Sequence, residues 1–175
     1  MQNLVLFGFM GTGKSLISKK MTKILLFERI DMDSVIEERE HKTISEIFAQ
    51  DGEAYFRQLE HELVKELAQR QDLIISTGGG VVLNRDNVTA FAKTGVCICL
   101  NTSPEIIYER VKTNSNRPLL MTENPLQTIK QLLESRKEYY AQVPYQLVTD
   151  NKDPEDICAE IMEIYNNHVS FALEE

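Results

Sequence analysis

Apolar positions along this chain alternate between two spacings. Short unbroken runs, Leu4-Val5-Leu6-Phe7, Leu73-Ile74-Ile75 and Val96-Cys97-Ile98-Cys99-Leu100, read as strands buried on both faces. Between them lie longer stretches with apolar residues three and four apart, the spacing of a helix face. A helix is expected from Lys14 to about Leu25, then a strand Glu28–Asp31 and a helix over Ser34–Arg39. Thr43-Ile44-Ser45-Glu46 reads as a capping box, and Ile44, Ile47 and Phe48 share the face behind it. Gly52 breaks that helix. Glu53–Ala68 resumes with the stripe Phe56, Leu59, Leu63, Val64, Leu67. A strand over Asp72–Ser76 stops at Thr77-Gly78-Gly79-Gly80, and Arg85–Lys93 is helical with Gly95 past its end. Ser103 as N-cap and Pro104 at the first position start the next helix, which carries Ile106, Ile107, Arg110 and Val111. Lys112–Asn124 is polar and irregular, the candidate for a mobile lid. Pro125 starts a helix through Ile129, Leu132, Leu133, Arg136 and Tyr140. A short strand Gln146–Thr149 follows, then a helix from Pro154 to about Asn167 and a tail with no strong pattern. Five strands alternating with helices predict an α/β fold: a parallel sheet with right-handed crossovers and helices on both faces.

At 175 residues, without a linker or internal repeat, residues 1–175 are expected to form one domain. No apolar run approaches the ~20 residues that span a bilayer. The N-terminus lacks the basic and long apolar regions of a secretory signal, and the first strand begins almost at residue 1. A cytoplasmic protein without a membrane partner is therefore expected. The net charge of −8 weighs against a nucleic-acid partner but leaves room for a locally positive anion site. Cys97 and Cys99, two apart in an apolar run, and Cys158 read as buried structural thiols rather than a disulfide framework or metal site.

The chemistry centres on Gly8-Phe9-Met10-Gly11-Thr12-Gly13-Lys14-Ser15, set between the first strand and the first helix. That context makes G-x-x-x-x-G-K-[ST] a phosphate-binding loop. Glycines let successive backbone N–H groups close on an anion, and the helix adds its positive N-terminal end. Lys14 supplies a full charge for the β- and γ-phosphates, and Ser15 offers a hydroxyl to Mg²⁺. Asp31 and Asp33 are expected to point to different sides, one toward a metal–phosphate group and the other toward a second pocket. A helix N-cap with an exposed neighbour is the plainer alternative. Arg57 and Glu60, three apart on a helix, can pair. The glycine triplet is conformationally costly, and makes sense where backbone approaches a ligand or φ is positive.

Taken together, these features resemble the shikimate kinase family over roughly residues 3–165. The phosphate loop, Asp31-x-Asp33, Phe56-Arg57-x-x-Glu60, Thr77-Gly78-Gly79-Gly80, Arg117-Pro118-Leu119-Leu120 and Arg136 occur in the family's order. The resemblance implies a three-layer, adenylate-kinase-like fold with strand order 2-3-1-4-5. It has a substrate-binding region over about 31–60 and a lid over about 112–124. It implies ATP-dependent phosphorylation of the 3-hydroxyl of shikimate in aromatic amino-acid biosynthesis, with Mg²⁺ as cofactor and a monomeric enzyme. Gly11, Thr12, Gly13, Lys14, Ser15 and Leu16 would hold the nucleotide, with Arg110 and Lys152 near adenine. Ser15 and Asp31 would position the metal. Asp33, Arg57, Gly78, Gly79, Gly80 and Arg136 would bind shikimate, the two arginines gripping its carboxylate. Lys14, Asp33 and Arg117 would carry the catalysis, Arg117 from the lid and Asp33 as a possible base. The chain departs from the family pattern at Leu26, Arg29 and His41, where glycine, an aromatic residue and glycine are common. The His41 change is expected to weaken a helix C-cap. The competing readings are a gluconate-kinase-like enzyme of the same fold, a nucleotide-binding regulator without turnover, and a nucleic-acid-binding ATPase.

Overall fold

The computed structural model describes residues 2–112 and 122–172. Residues 113–121, which hold Arg117 and most of the expected lid, lie outside the described residues. Five strands, β1 (Asn3–Phe7), β2 (Glu28–Asp31), β3 (Leu73–Ser76), β4 (Gly95–Asn101) and β5 (Tyr145–Val148), form one sheet in the order β2-β3-β1-β4-β5. Every pairing is parallel, with Leu6 opposite Ser76 and Phe7 opposite Cys99. Beside β1 the direction of chain progression reverses. Connections there leave to opposite faces and open a crevice at the strands' carboxyl ends.

Alternation along the strands builds two cores. Leu4, Leu6, Ile74, Val96, Ile98 and Leu100 face α1 (Lys14–Leu25) and α8 (Pro154–Ala172). Ile17 and Met21 of α1 and Ile157, Ile161 and Tyr165 of α8 pack on them. Val5, Phe7, Ile75, Cys97 and Cys99 face the other way. They are covered from α2 (Met32–Glu40), α3 (Ile44–Gln50), α4 (Glu53–Leu67), α5 (Arg85–Ala92), α6 (Pro104–Val111) and α7 (Pro125–Ala141). Burying each large aliphatic side chain here contributes about 1.5–3 kcal/mol. Cys97 and Cys99 share one face as expected; both thiols, like Cys158, are buried and free. Burial pushes Cys97 and Cys99 up to about 12, so they remain protonated.

Several boundaries shift for local reasons. The helix expected from Ser34 begins at Met32, because Asp31 Oδ1 accepts the Ser34 N–H and caps it. The Thr43–Glu46 capping box forms in full. Ser103 starts α6 without a side-chain cap; its own N–H donates to Asp150 Oδ1 at 2.9 Å. A 3₁₀ turn over Val81–Leu83 follows the glycine triplet, and Gly95 belongs to β4 rather than to a helix end. The last helix runs past Asn167 to Ala172.

His41 does not forfeit its cap. It ends α2 at φ 52° with its N–H on the Glu37 carbonyl, and Leu26 ends α1 likewise at φ 57°. Each non-glycine residue in this left-handed region costs roughly 1–2 kcal/mol; Leu26 is 85% exposed and His41 is exposed too, so the cap hydrogen bonds, not packing, offset it.

Candidate active site

The phosphate loop leaves β1 at Gly8 and enters α1 at Lys14. Gly8 has φ 142°, and a Cβ there would lie 2.6 Å from the Leu100 carbonyl oxygen and 2.8 Å from Thr12 Oγ1. No side chain fits. Thr12 is buried and donates to the Phe9 carbonyl at 2.8 Å, tying the loop to itself. Lys14 is 8% exposed, and its Nζ donates to the carbonyls of Gly8 at 2.7 Å and Phe9 at 2.9 Å. The ammonium is thus held beneath the loop, beside the N-terminus of α1. Gly11, Gly13, Ser15 and Leu16 line the mouth above it.

Asp31 and Asp33 do point to different places. In an uninterrupted strand residues two apart would share a face. Here the strand ends at Asp31 and the helix starts at Met32, so the two carboxylates part. Asp31 Oδ2 lies 3.4 Å from Ser15 Oγ, beside the phosphate loop. Asp33 Oδ1 lies against Gly78, where a Cβ would sit 2.8 Å from it and 2.8 Å from Glu60 Oε1.

Two of the triplet's glycines have a steric cause; Gly79 does not, since a Cβ there would stand 3.6 Å or more from its neighbours. None of the three has a positive φ. At Gly80 the space of a Cβ is taken by the Arg57 guanidinium, and at Gly78 by the two carboxylates. Arg57 stands on α4, paired with Glu60 and, at 3.2 Å, with Glu53. Its guanidinium lies 5.3 Å from the Phe56 ring centre and 5.9 Å from that of Phe48. Ion pairs and neighbouring aromatic faces restrain it, so it is no loosely solvated helix residue. Arg136 on α7 reaches the same space, 5.9 Å from the Phe9 ring centre.

Glu60 was legible as a partner for Arg57 but not as a buried acid. It is 1% exposed, and its Oε1 has no hydrogen-bond partner among the described residues. Burial lifts its carboxyl to about 7, against the opposing pull of Arg57; Asp33 raises it further. The unfolded chain releases this proton near 4.5, whereas the folded chain keeps it to about 7. Folding stability therefore falls as pH rises through that window, by at most about 3 kcal/mol. Urea titrations at several pH values check this. Glu60→Gln is expected to flatten the slope, and a variant with the parent's pH dependence would refute the assignment.

Tyr140, one turn beyond Arg136, was placed in a helical stripe by its spacing. Its hydroxyl donates to the Gly79 carbonyl at 2.6 Å, tying α7 to the triplet. Burial pushes this phenol up to about 12, so it stays a donor. Glu53 is a further site neighbour without a local sequence signal; Phe9 belongs to the loop motif, and Arg29, paired with Asp31, stands out in the sequence only as a departure from the family pattern.

Loop, carboxylates, triplet and both arginines border one cavity of about 700 Å³ at the carboxyl end of the sheet. An anion-binding loop, two guanidinium groups and the Asp33 carboxylate share its wall. Such a space can hold a phosphorylated nucleotide against a small hydroxylated carboxylate. Arg110 and Lys152 do not line it. Arg110 donates to the Gly11 carbonyl at 3.0 Å behind the loop, and Lys152 pairs with Glu160 at 2.7 Å.

The family model described as shikimate kinase matches residues 10–166. A shikimate kinase of Thermodesulfovibrio yellowstonii is 42% identical over 94% of this chain and 95% of its own length. The solved shikimate kinase from Acinetobacter baumannii, in complex with shikimate, superposes with TM-score 0.90 at 32% identity, covering 96% of this chain and 94% of that one. A gluconokinase from Sinorhizobium meliloti shares only the fold, with TM-score 0.63 at 14% identity over 98% of this chain and 95% of its own. Relatives so alike over nearly the whole length leave one assignment: this chain belongs to the shikimate kinase family, and with it to the ATP-dependent kinases.

Proposed function

We propose that this chain, acting as a single cytoplasmic domain, transfers the γ-phosphoryl group of ATP to the 3-hydroxyl of shikimate. The products are shikimate 3-phosphate and ADP. The observation that carries this reading is a single cavity lined by the phosphate loop, Asp33, Arg57 and Arg136. Two guanidinium forks suit a carboxylate that a lone lysine would hold less directionally. Asp33 accepts hydrogen bonds from the neighbouring hydroxyls and takes the proton of the attacking one. The backbone of Gly78, Gly79 and Gly80 meets the substrate ring. At the other end Gly11, Thr12, Gly13, Lys14, Ser15 and Leu16 cradle the phosphates. Arg110 and Lys152 flank the adenine side, and Arg117, outside the described residues, contributes a further positive charge to the transfer. Charge stabilisation and positioning supply most of the acceleration in such a transfer.

Ser15 Oγ and Asp31 Oδ2 suit Mg²⁺, being hard oxygens 3.4 Å apart beside the loop. No cluster of three or more His, Cys, Asp or Glu forms a cage among the described residues. That fits an ion which keeps water and phosphate oxygens around itself. When bound, Mg²⁺ neutralises charge on the phosphates. The enzyme is read as a monomer, without nucleic-acid or membrane partners. Among the described residues no helix is long and apolar enough to cross a membrane.

ADP release from the purified protein with ATP and Mg²⁺ tests the reading. Shikimate is expected to stimulate it strongly; gluconate, quinate and nucleoside monophosphates are not. Arg136→Ala should raise KM for shikimate at least tenfold while changing KM for ATP little, the signature of a lost charge-assisted contact worth about 1.5–3 kcal/mol. Stimulation by another acceptor, or equal effects on both substrates, would remove Arg136 from carboxylate recognition.

A further inference from the structure

Arg29 leaves β2 on the same face as Asp31, two residues on. Its Nη2 donates to Asp31 Oδ2 at 3.0 Å, and its Nε donates to Ser18 Oγ at 2.7 Å. Ser18 is fully buried in α1, and its hydroxyl donates to the Ser15 carbonyl at 3.0 Å. One guanidinium therefore bridges the second strand to the helix that follows the phosphate loop. The Asp31 oxygen it holds is the one 3.4 Å from Ser15 Oγ, while Oδ1 is engaged by the Ser34 N–H. Both side chains of the pair are about a quarter exposed, 24% for Arg29 and 22% for Asp31, so solvent screens it incompletely.

We propose that Arg29 is a positioning residue that competes with the divalent cation for Asp31 Oδ2, and so sets how tightly the metal–nucleotide complex is held. The inference rests on the reading of Ser15 and Asp31 as the metal-facing pair, and extends it to a residue outside that pair. A guanidinium N–H on Oδ2 takes a lone pair that a metal-bound water would otherwise use. Its positive charge also lowers the attraction of the site for a second cation. Its tie to Ser18 keeps it in place, because Nε is held independently of Asp31.

A competitor and a prop have opposite signatures. Removing a prop loosens metal binding; removing a competitor tightens it. The experiment is a titration of the protein, saturated with ADP, with Mn²⁺ followed by electron paramagnetic resonance. Arg29→Met keeps the aliphatic stem and removes the charge. Its Mn²⁺ dissociation constant is expected to fall about three- to tenfold, the scale of deleting one partly screened charge a few ångströms away. Arg29→Lys keeps the charge and should move it less than about twofold. ADP affinity without metal should be unchanged in both. Arg29→Gln provides the same test should Arg29→Met fold poorly. Unchanged or weaker Mn²⁺ binding in the uncharged variants overturns the proposal. Asp31→Asn separates the two levels. If it leaves Mn²⁺ affinity unaltered, the metal-site reading falls and this inference with it. If it weakens Mn²⁺ while Arg29→Met changes nothing, only the role of Arg29 falls.

Discussion

Lys14→Ala is expected to lower kcat by about 10³-fold or more, the scale of losing a fixed charge aimed at developing phosphoryl charge. The side chain is already aimed. Its Nζ lies within 2.9 Å of two loop carbonyls and is almost wholly shielded from water, so little reorganisation is needed to meet phosphate. Stability should fall as well. Two hydrogen bonds from a charged donor to buried loop carbonyls are lost, each worth about 1.5–3 kcal/mol. Single-turnover kinetics beside a denaturant melt separate the two effects. A folded variant with near-normal kcat would remove Lys14 from the mechanism.

Asp33→Asn is expected to cost about 10²–10⁴-fold in kcat with ATP binding preserved, the range for losing a positioned base. The amide is nearly isosteric, so the contact against Gly78 survives. What disappears is an acceptor-only charge. The same substitution carries a second readout. Asp33 raises the Glu60 carboxyl, so its neutralisation should move the Glu60 titration downward from about 7. An unchanged rate would take Asp33 out of the chemistry. An unchanged Glu60 titration would mean that the two carboxylates do not sense one another.

The two variants report on different parts of one cavity, which is why the pair is informative. Lys14 belongs to the loop that any nucleotide enzyme of this fold could carry. Asp33 sits among Arg57, Glu60 and the triplet, which suit one kind of acceptor. A protein that only bound nucleotide would tolerate Asp33→Asn without a kinetic change.

Much of this architecture was legible without coordinates. Runs such as Val96–Leu100 can only be satisfied between two layers of helix, so the parallel sheet follows from the apolar pattern. Loop, Asp31, Arg57, triplet and Arg136 all fall at the strand ends or on the helices where the pattern expected them, whereas Asp33, expected at a strand end, lies in α2. At Ser103 the expected helix start holds, but a non-local partner supplies its hydrogen bond: the Ser103 N–H is taken by Asp150, two residues past β5. The carboxylates diverge because the helix starts one residue after the strand, a detail decided by capping rather than by periodicity.

The sequence by itself determined the elements, their alternation and the chemical types at the site. Those are written in windows of a few residues, where spacing and turn chemistry act locally. Tertiary structure alone decided which groups share a dielectric environment and a partner. Glu60 became a high-pKa acid because it is buried against Gly78 of the triplet. Tyr140 met Gly79 across 61 residues of chain, and Arg29 met Ser18 across two elements. Burial and charge coupling depend on distances through space, and a linear pattern does not carry those distances.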